Sequence, residues 1–177
     1  MRRDGWPVTG AARDRFVLSK RGARPPRDPW GYQDTVVEDE LTEDGTIGRS
    51  ATIFLTGREC PWRCVMCDLW RFTTSTDTPV GAIPGQIRAA RQAIGTQFGP
   101  VFQIKLYNAA NFFDPKAVPE EDDDAIAAAL DGISRVVVEC HPALVGDRVD
   151  RFLDALEQRR PGRSTPVGSG FPSADLR

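Results

Sequence analysis

Three thiols lie within eight residues, in the run Cys60-Pro61-Trp62-Arg63-Cys64-Val65-Met66-Cys67, and the fourth cysteine, Cys140, stands far from them. The spacing Cys-x3-Cys-x2-Cys lets one short loop supply three thiolates. A [4Fe–4S] cubane usually takes four thiolates, so three leave one iron open to a substrate or cofactor. Trp62, Val65, Met66, Leu69 and Trp70 surround these positions with apolar bulk that limits water and tunes potential. Zinc is the alternative: Cys60, Cys64 and Cys67 joined by Cys140 or His141 make a four-ligand set. Structural zinc normally draws on paired ligand elements, however, and no second pair follows.

The elements around the loop must place it. Thr35 to Leu41 reads as a strand, Thr42-Glu43-Asp44-Gly45 as a turn, and Thr46 to Gly57 as a second strand with the apolar run Ala51 to Leu55. Helical spacing then links Ile83, Ile87, Ala90 and Ile94, with Pro84 in the first turn and Gly95 ending the helix. Val101 to Tyr107 is a strand. A helix starts at Pro119 and carries Ile126, Leu130 and Ile133; Val136 to Glu139 is a strand; Val149, Phe152, Leu153 and Leu156 mark a last helix. This alternation predicts an α/β fold of about three βα units on a parallel sheet, after an N-terminal hairpin.

Split by face, these strands are asymmetric. Phe102, Ile104 and Leu106 share one side with period two, and Gln103, Lys105 and Tyr107 the other. Val136, Val138 and Cys140 oppose Arg135, Val137, Glu139 and His141 in the same way. A doubly covered parallel sheet is apolar on both faces. Here the polar face predicts a lining for a ligand, and Cys140 reads as a small buried hydrophobe.

The loop and its strand context resemble the radical S-adenosylmethionine (SAM) superfamily. The stretches Phe54 to Cys64, Met66 to Arg71, Lys105 to Ala109 and Phe112 to Pro115 are similar to the archaeosine-synthase-related members, which modify tRNA. A Gly-Ser pair commonly follows the Asn-Ala in that family, whereas Ala110-Asn111 stands here. The resemblance implies a (β/α) barrel of the radical SAM type, of which this chain carries a part. It implies a [4Fe–4S] cluster on Cys60, Cys64 and Cys67, SAM on the fourth iron, and Met66 beside the adenine. Asn108 and Asn111, after a strand's carboxyl end, are candidates for SAM contact, with an ordinary turn-forming role as the rival for Asn108. Glu139 is a candidate for SAM ribose or substrate, with an ion pair to Arg135 or Lys105 as its rival. His141, before Pro142, is either a strand terminus or a catalytic group. The implied activity is reductive cleavage of SAM to a 5′-deoxyadenosyl radical. The implied partners are a ferredoxin or flavodoxin as reductant, a tRNA substrate, and an oligomer mate or second half-chain.

Composition bounds the rest. The chain has 177 residues, 40% hydrophobic and 27% charged, with a net charge of -2 and pI near 5.5. That predicts a soluble protein without a membrane span, cytoplasmic in the absence of an export signal. Residues 1–33 read as an irregular basic lead-in, either a phosphate-touching arm or a solvated terminus. Residues 34–158 read as the N-terminal part of a radical SAM core, and 159–177 as a disordered or out-of-frame tail without a strand. Three βα units fall short of the roughly six of such a barrel. A truncated, non-catalytic cluster-binding fragment is therefore the alternative to an enzyme, with a zinc-binding module behind it.

Overall fold

The computed structural model of the chain describes residues 7, 9–42, 44–159, 167–170 and 175–176. The expected hairpin forms from β1 (Asp34–Leu41) and β2 (Ile47–Leu55), antiparallel from Asp34↔Phe54 to Leu41↔Ile47. Gly45 turns it with φ of 81°, a left-handed conformation that costs glycine little. β2 then pairs in parallel with β3 (Gln103–Asn108), and β3 with β4 (Arg135–Glu139). Between them run α2 (Ala82–Phe98) and α3 (Asp123–Ala129), and α4 (Asp147–Gln158) follows β4. The chain is therefore a mixed α/β fold in which neighbouring strands are consecutive in sequence.

The apolar face of the sheet forms one core with these three helices. Ala51, Ile53, Leu55, Ile104, Leu106, Val136 and Val138 pack with Ile83, Ile87, Ala90, Ile94, Ile126, Val149, Phe152 and Leu156. Cys140 belongs to the same core, as its position on that face predicts. The Arg148 guanidinium ties α4 to α3 through Asp123 at 2.7 Å and donates to the Pro119 carbonyl at 3.3 Å. Among the described residues no helix is long and apolar enough to cross a membrane.

Four expectations need correction. Gly95 does not end α2; the helix runs on until Gly99, whose φ of 78° reverses the chain while its N–H returns to the Gly95 carbonyl. A lone glycine in a helix costs only about 1 kcal/mol, which the buried stripe of α2 outweighs. Leu130 and Ile133 are buried but lie beyond α3, past its last residue, where Gly132 at φ of 79° turns toward β4. The lead-in is not irregular throughout: α1 spans Gly10–Lys20, with the Thr9 hydroxyl accepting from the Ala12 N–H at 3.2 Å. Its apolar residues Phe16, Val17 and Leu18 are contiguous rather than spaced at three and four, which hides it from a periodicity reading. Finally, the backbone of Val167–Gly170 forms β5, parallel to β4 from Val137↔Gly168 to Glu139↔Gly170, and Asp175–Leu176 forms β6 beside it. The edge of β4 is thus covered by a glycine-rich segment that has no hydrophobic pattern. The other residues of the expected tail, 160–166, 171–174 and 177, lie outside the described residues.

Candidate functional site

Parallel strands deliver their carboxyl ends to one edge, and the loops leaving that edge are where βα folds place their ligands. Here the segment after β2 holds Cys60, Cys64 and Cys67, the segment after β3 holds Asn111, and the end of β4 holds Glu139. Residues 56–81 run without helix or strand apart from a single 3-10 turn at Leu69–Phe72. The loop is nonetheless laced down. The Thr74 N–H donates to the Gly57 carbonyl at 2.9 Å, and the Arg58 N–H to the Thr78 hydroxyl at 3.0 Å. A Cβ at Gly57 would stand 2.9 Å from the Ala117 carbonyl oxygen, so only glycine allows this approach.

All four cysteines are free thiols. Burial pushes the Cys60 thiol pKa up, and the neighbouring Cys64 and Cys67 push it further. Among the described residues, no three His, Cys, Asp or Glu side chains converge closely enough to hold a metal ion. The thiols are offered on one loop rather than preassembled, and a metal that gathers its ligands on binding needs no more. Soft sulfur donors suit zinc or an iron–sulfur cluster. Cys140 is a poor fourth ligand, since it lies in the core with its thiol directed to the His141 carbonyl at 3.4 Å. His141 instead meets the loop through its ring, which stacks on Trp62 with centroids 4.1 Å apart. Its Nδ1 accepts from the Ala143 N–H at 3.1 Å, leaving Nε2 as its other polar atom.

Beside the loop a cavity of about 350 Å³ opens at the carboxyl edge of β2, β3 and β4. Phe54, Tyr107, Leu69 and Phe72 give it apolar walls, and Asn108 and Glu139 place polar groups in it. Asn108 is 4% exposed, yet neither atom of its amide has a hydrogen-bond partner. A buried orphan amide costs about 1–3 kcal/mol, the kind of cost that a ligand's polar groups offset. Burial raises the Glu139 pKa to about 7. The alternative ion pair to Glu139 is not among those of the described residues: Lys105 bonds to Glu40 from β1, and the buried Arg135 Nε has no hydrogen-bonding partner. Gln103 joins Glu40 at 2.8 Å and Ser50 at 2.8 Å, so this network occupies the far end of the polar face.

The remaining candidates stand elsewhere. Met66 is 87% exposed at the loop tip and does not line the cavity. Asn111 is buried, and its Oδ1 accepts from the Phe113 N–H at 2.9 Å, closing a local turn. Tyr107, on the face expected to line a ligand, is joined there by Phe54 as an edge-to-face pair with ring centroids 6.2 Å apart. Phe54 carries the same sequence signal, an aromatic residue on the polar face at a strand end. Glu59, directly before Cys60, carries no such signal. It accepts hydrogen bonds from Arg21 and Arg24, thirty-odd positions away in sequence, and no local spacing announces that.

Comparison with known proteins adds one relative. An uncharacterized protein of Methanocaldococcus jannaschii is 23% identical over 131 residues, 67% of this chain. The chain spans 36% of that relative's length. No family model and no solved structure matches the chain.

Proposed function

We propose that the chain is a radical SAM protein whose cluster loop follows β2. The observation that carries this reading is the conjunction of three free thiols at Cys-x3-Cys-x2-Cys spacing with the orphan amide of Asn108 at the same sheet edge. Cys60, Cys64 and Cys67 would hold a [4Fe–4S] cluster, and Asn108 and Glu139 would bind SAM. The partial (β/α) barrel belongs to the same proposal, supported by consecutive strand order and by crossover helices that share one core. When bound, the cluster held by Cys60, Cys64 and Cys67 and the SAM held by Asn108 and Glu139 would supply one-electron chemistry directed at a substrate C–H bond.

The chain's own residues orient and exclude. Asn108 offers a donor and an acceptor that are already desolvated, so they need no reorganisation when a polar ligand arrives. Glu139, neutral or charged near pH 7, can donate to or accept from a hydroxyl. Phe54, Tyr107, Leu69 and Phe72 would give a bound ligand apolar walls. A tRNA is the proposed substrate and a flavodoxin or ferredoxin the proposed electron donor, both from the resemblance of Phe54 to Cys64 and Lys105 to Ala109.

Anaerobic reconstitution tests the reading. A brown protein with about four irons per chain is expected, with an electron-paramagnetic signal on reduction that changes when SAM is added. A colourless protein holding one zinc would overturn it. A loaded protein that yields no 5′-deoxyadenosine would select the non-catalytic cluster-binding fragment.

A further inference from the structure

We propose that Arg21, Arg24 and Arg27 form a strap that positions the cysteine loop, acting through Glu59 and the backbone of residues 71–74. The functional half of this inference rests on the loop being a metal-binding one. The mechanical half does not.

The three arginines recur every third residue in Arg21-Gly22-Ala23-Arg24-Pro25-Pro26-Arg27. Proline fixes φ near −65° and keeps the residue before it extended. In such a polyproline-like segment three residues make one turn, so side chains three apart face the same way. All three face the loop. Arg21 and Arg24 both bond the Glu59 carboxylate, whose side chain is 13% exposed. Arg24 also donates to the Thr73 hydroxyl and the Thr74 carbonyl, each at 2.9 Å. Arg27 donates to the Arg71 carbonyl at 3.0 Å and lies over the Phe72 ring at 5.0 Å. The buried Trp70 ring receives the Arg21 and Arg24 guanidinium groups at 5.1 and 6.0 Å. Both sides of the cysteines, Glu59 before and residues 70–74 after, are therefore gripped by one segment.

A second tie reaches the middle of the loop. Arg63 adopts φ of 46°, a left-handed conformation unusual for a residue with a Cβ. Its guanidinium meets Asp14 of α1 at 3.1 Å, which holds the turn just before Cys64. Burial pushes the Glu59 pKa up, but its hydrogen bonds and charge attraction to Arg21 and Arg24 outweigh that and hold it below the usual range. A long loop that must hold several ligands in register needs such outside support, because it has no ladder of its own.

Glu59→Gln and Arg24→Gln, each in the full chain, test the strap with trypsin. Arg63 and Arg71 are cleavage sites inside the loop, and Arg91 in α2 is an internal control. Cutting after Arg63 and Arg71 should accelerate roughly tenfold in both variants, as expected when a local opening becomes easier, with the Arg91 rate unchanged. Unchanged loop cutting, or an equal rise at Arg91, would overturn the strap. After anaerobic iron loading, Glu59→Gln should shift the paramagnetic signal at equal iron content, and Glu59→Asp should restore part of it. An unshifted signal removes the positioning role. If the wild type takes up no iron, the functional reading fails while the trypsin result still decides the strap.

Discussion

The two faces of β3 and β4 are built from alternate residues of the same strands, and they behave as two different materials. On one face Ile104, Leu106, Val136 and Val138 are fully buried against three helices. On the other, Gln103, Lys105, Tyr107, Arg135 and Glu139 carry polar groups, of which Gln103 Oε1 and Arg135 Nε are buried without a partner and Glu139 is desolvated. The first face is where burial stabilises the fold. The second, together with the carboxyl edge it leads to, holds groups whose desolvation is uncompensated within the chain. Apolar burial and uncompensated desolvation are therefore separated by a single residue step along these strands, and substitutions can probe them one at a time.

The largest contrast comes from the apolar face. Leu106→Ala removes a fully buried side chain from the core and should cost about 2–5 kcal/mol in a denaturant titration. A loss below about 1 kcal/mol would mean that the helices do not seal this face. Next is Glu139. Because its folded pKa is raised to about 7 from an ordinary 4.5, its contribution is most favourable below about pH 4.5 and is lost as pH rises toward 7. Glu139→Gln should therefore match the wild type near pH 4 and exceed it by about 1 kcal/mol at pH 8, after discounting for its partial exposure. A pH-independent difference would show that the carboxyl is well solvated. The smallest effect belongs to Asn108→Leu, which replaces an orphan amide by an apolar group of similar size. Thermal melts should show stability unchanged or raised by up to about 1 kcal/mol, while the proposed SAM site predicts that equilibrium dialysis finds SAM binding in the wild type and none in the variant. A loss of stability instead would reveal a hydrogen bond that the fold depends on.

Period-two alternation made this two-faced sheet legible from sequence, and the stripe Ile83, Ile87, Ala90 and Ile94 did the same for α2. Both signals are local. The placement of Cys140 in the core followed from the same alternation. What escaped depended on partners distant in sequence or on backbone alone. α1 has little amphipathic pattern and is fixed by Val17 and by charges such as Asp14. β5 lies in Val-Gly-Ser-Gly, where side chains carry almost no signal. The candidate site was legible as a list of residues rather than as a cavity. Asn108 and Glu139 converge on it, whereas Asn111 spends its carbonyl on a turn and Met66 stands outside. The Glu59 network joins residues whose separation no motif encodes.

The contact at Gly57 also bears on how this chain can change over generations. With the Ala117 carbonyl where a methyl group would sit, position 57 has no substitute that leaves both segments in place. The Thr78 N–H in turn donates to the Lys116 carbonyl at 2.9 Å. The cysteine-bearing segment and the stretch around 114–118 are thus fastened at close range on both sides of the cysteines. A change in one therefore displaces the other, so the two loops respond to substitution as a single part.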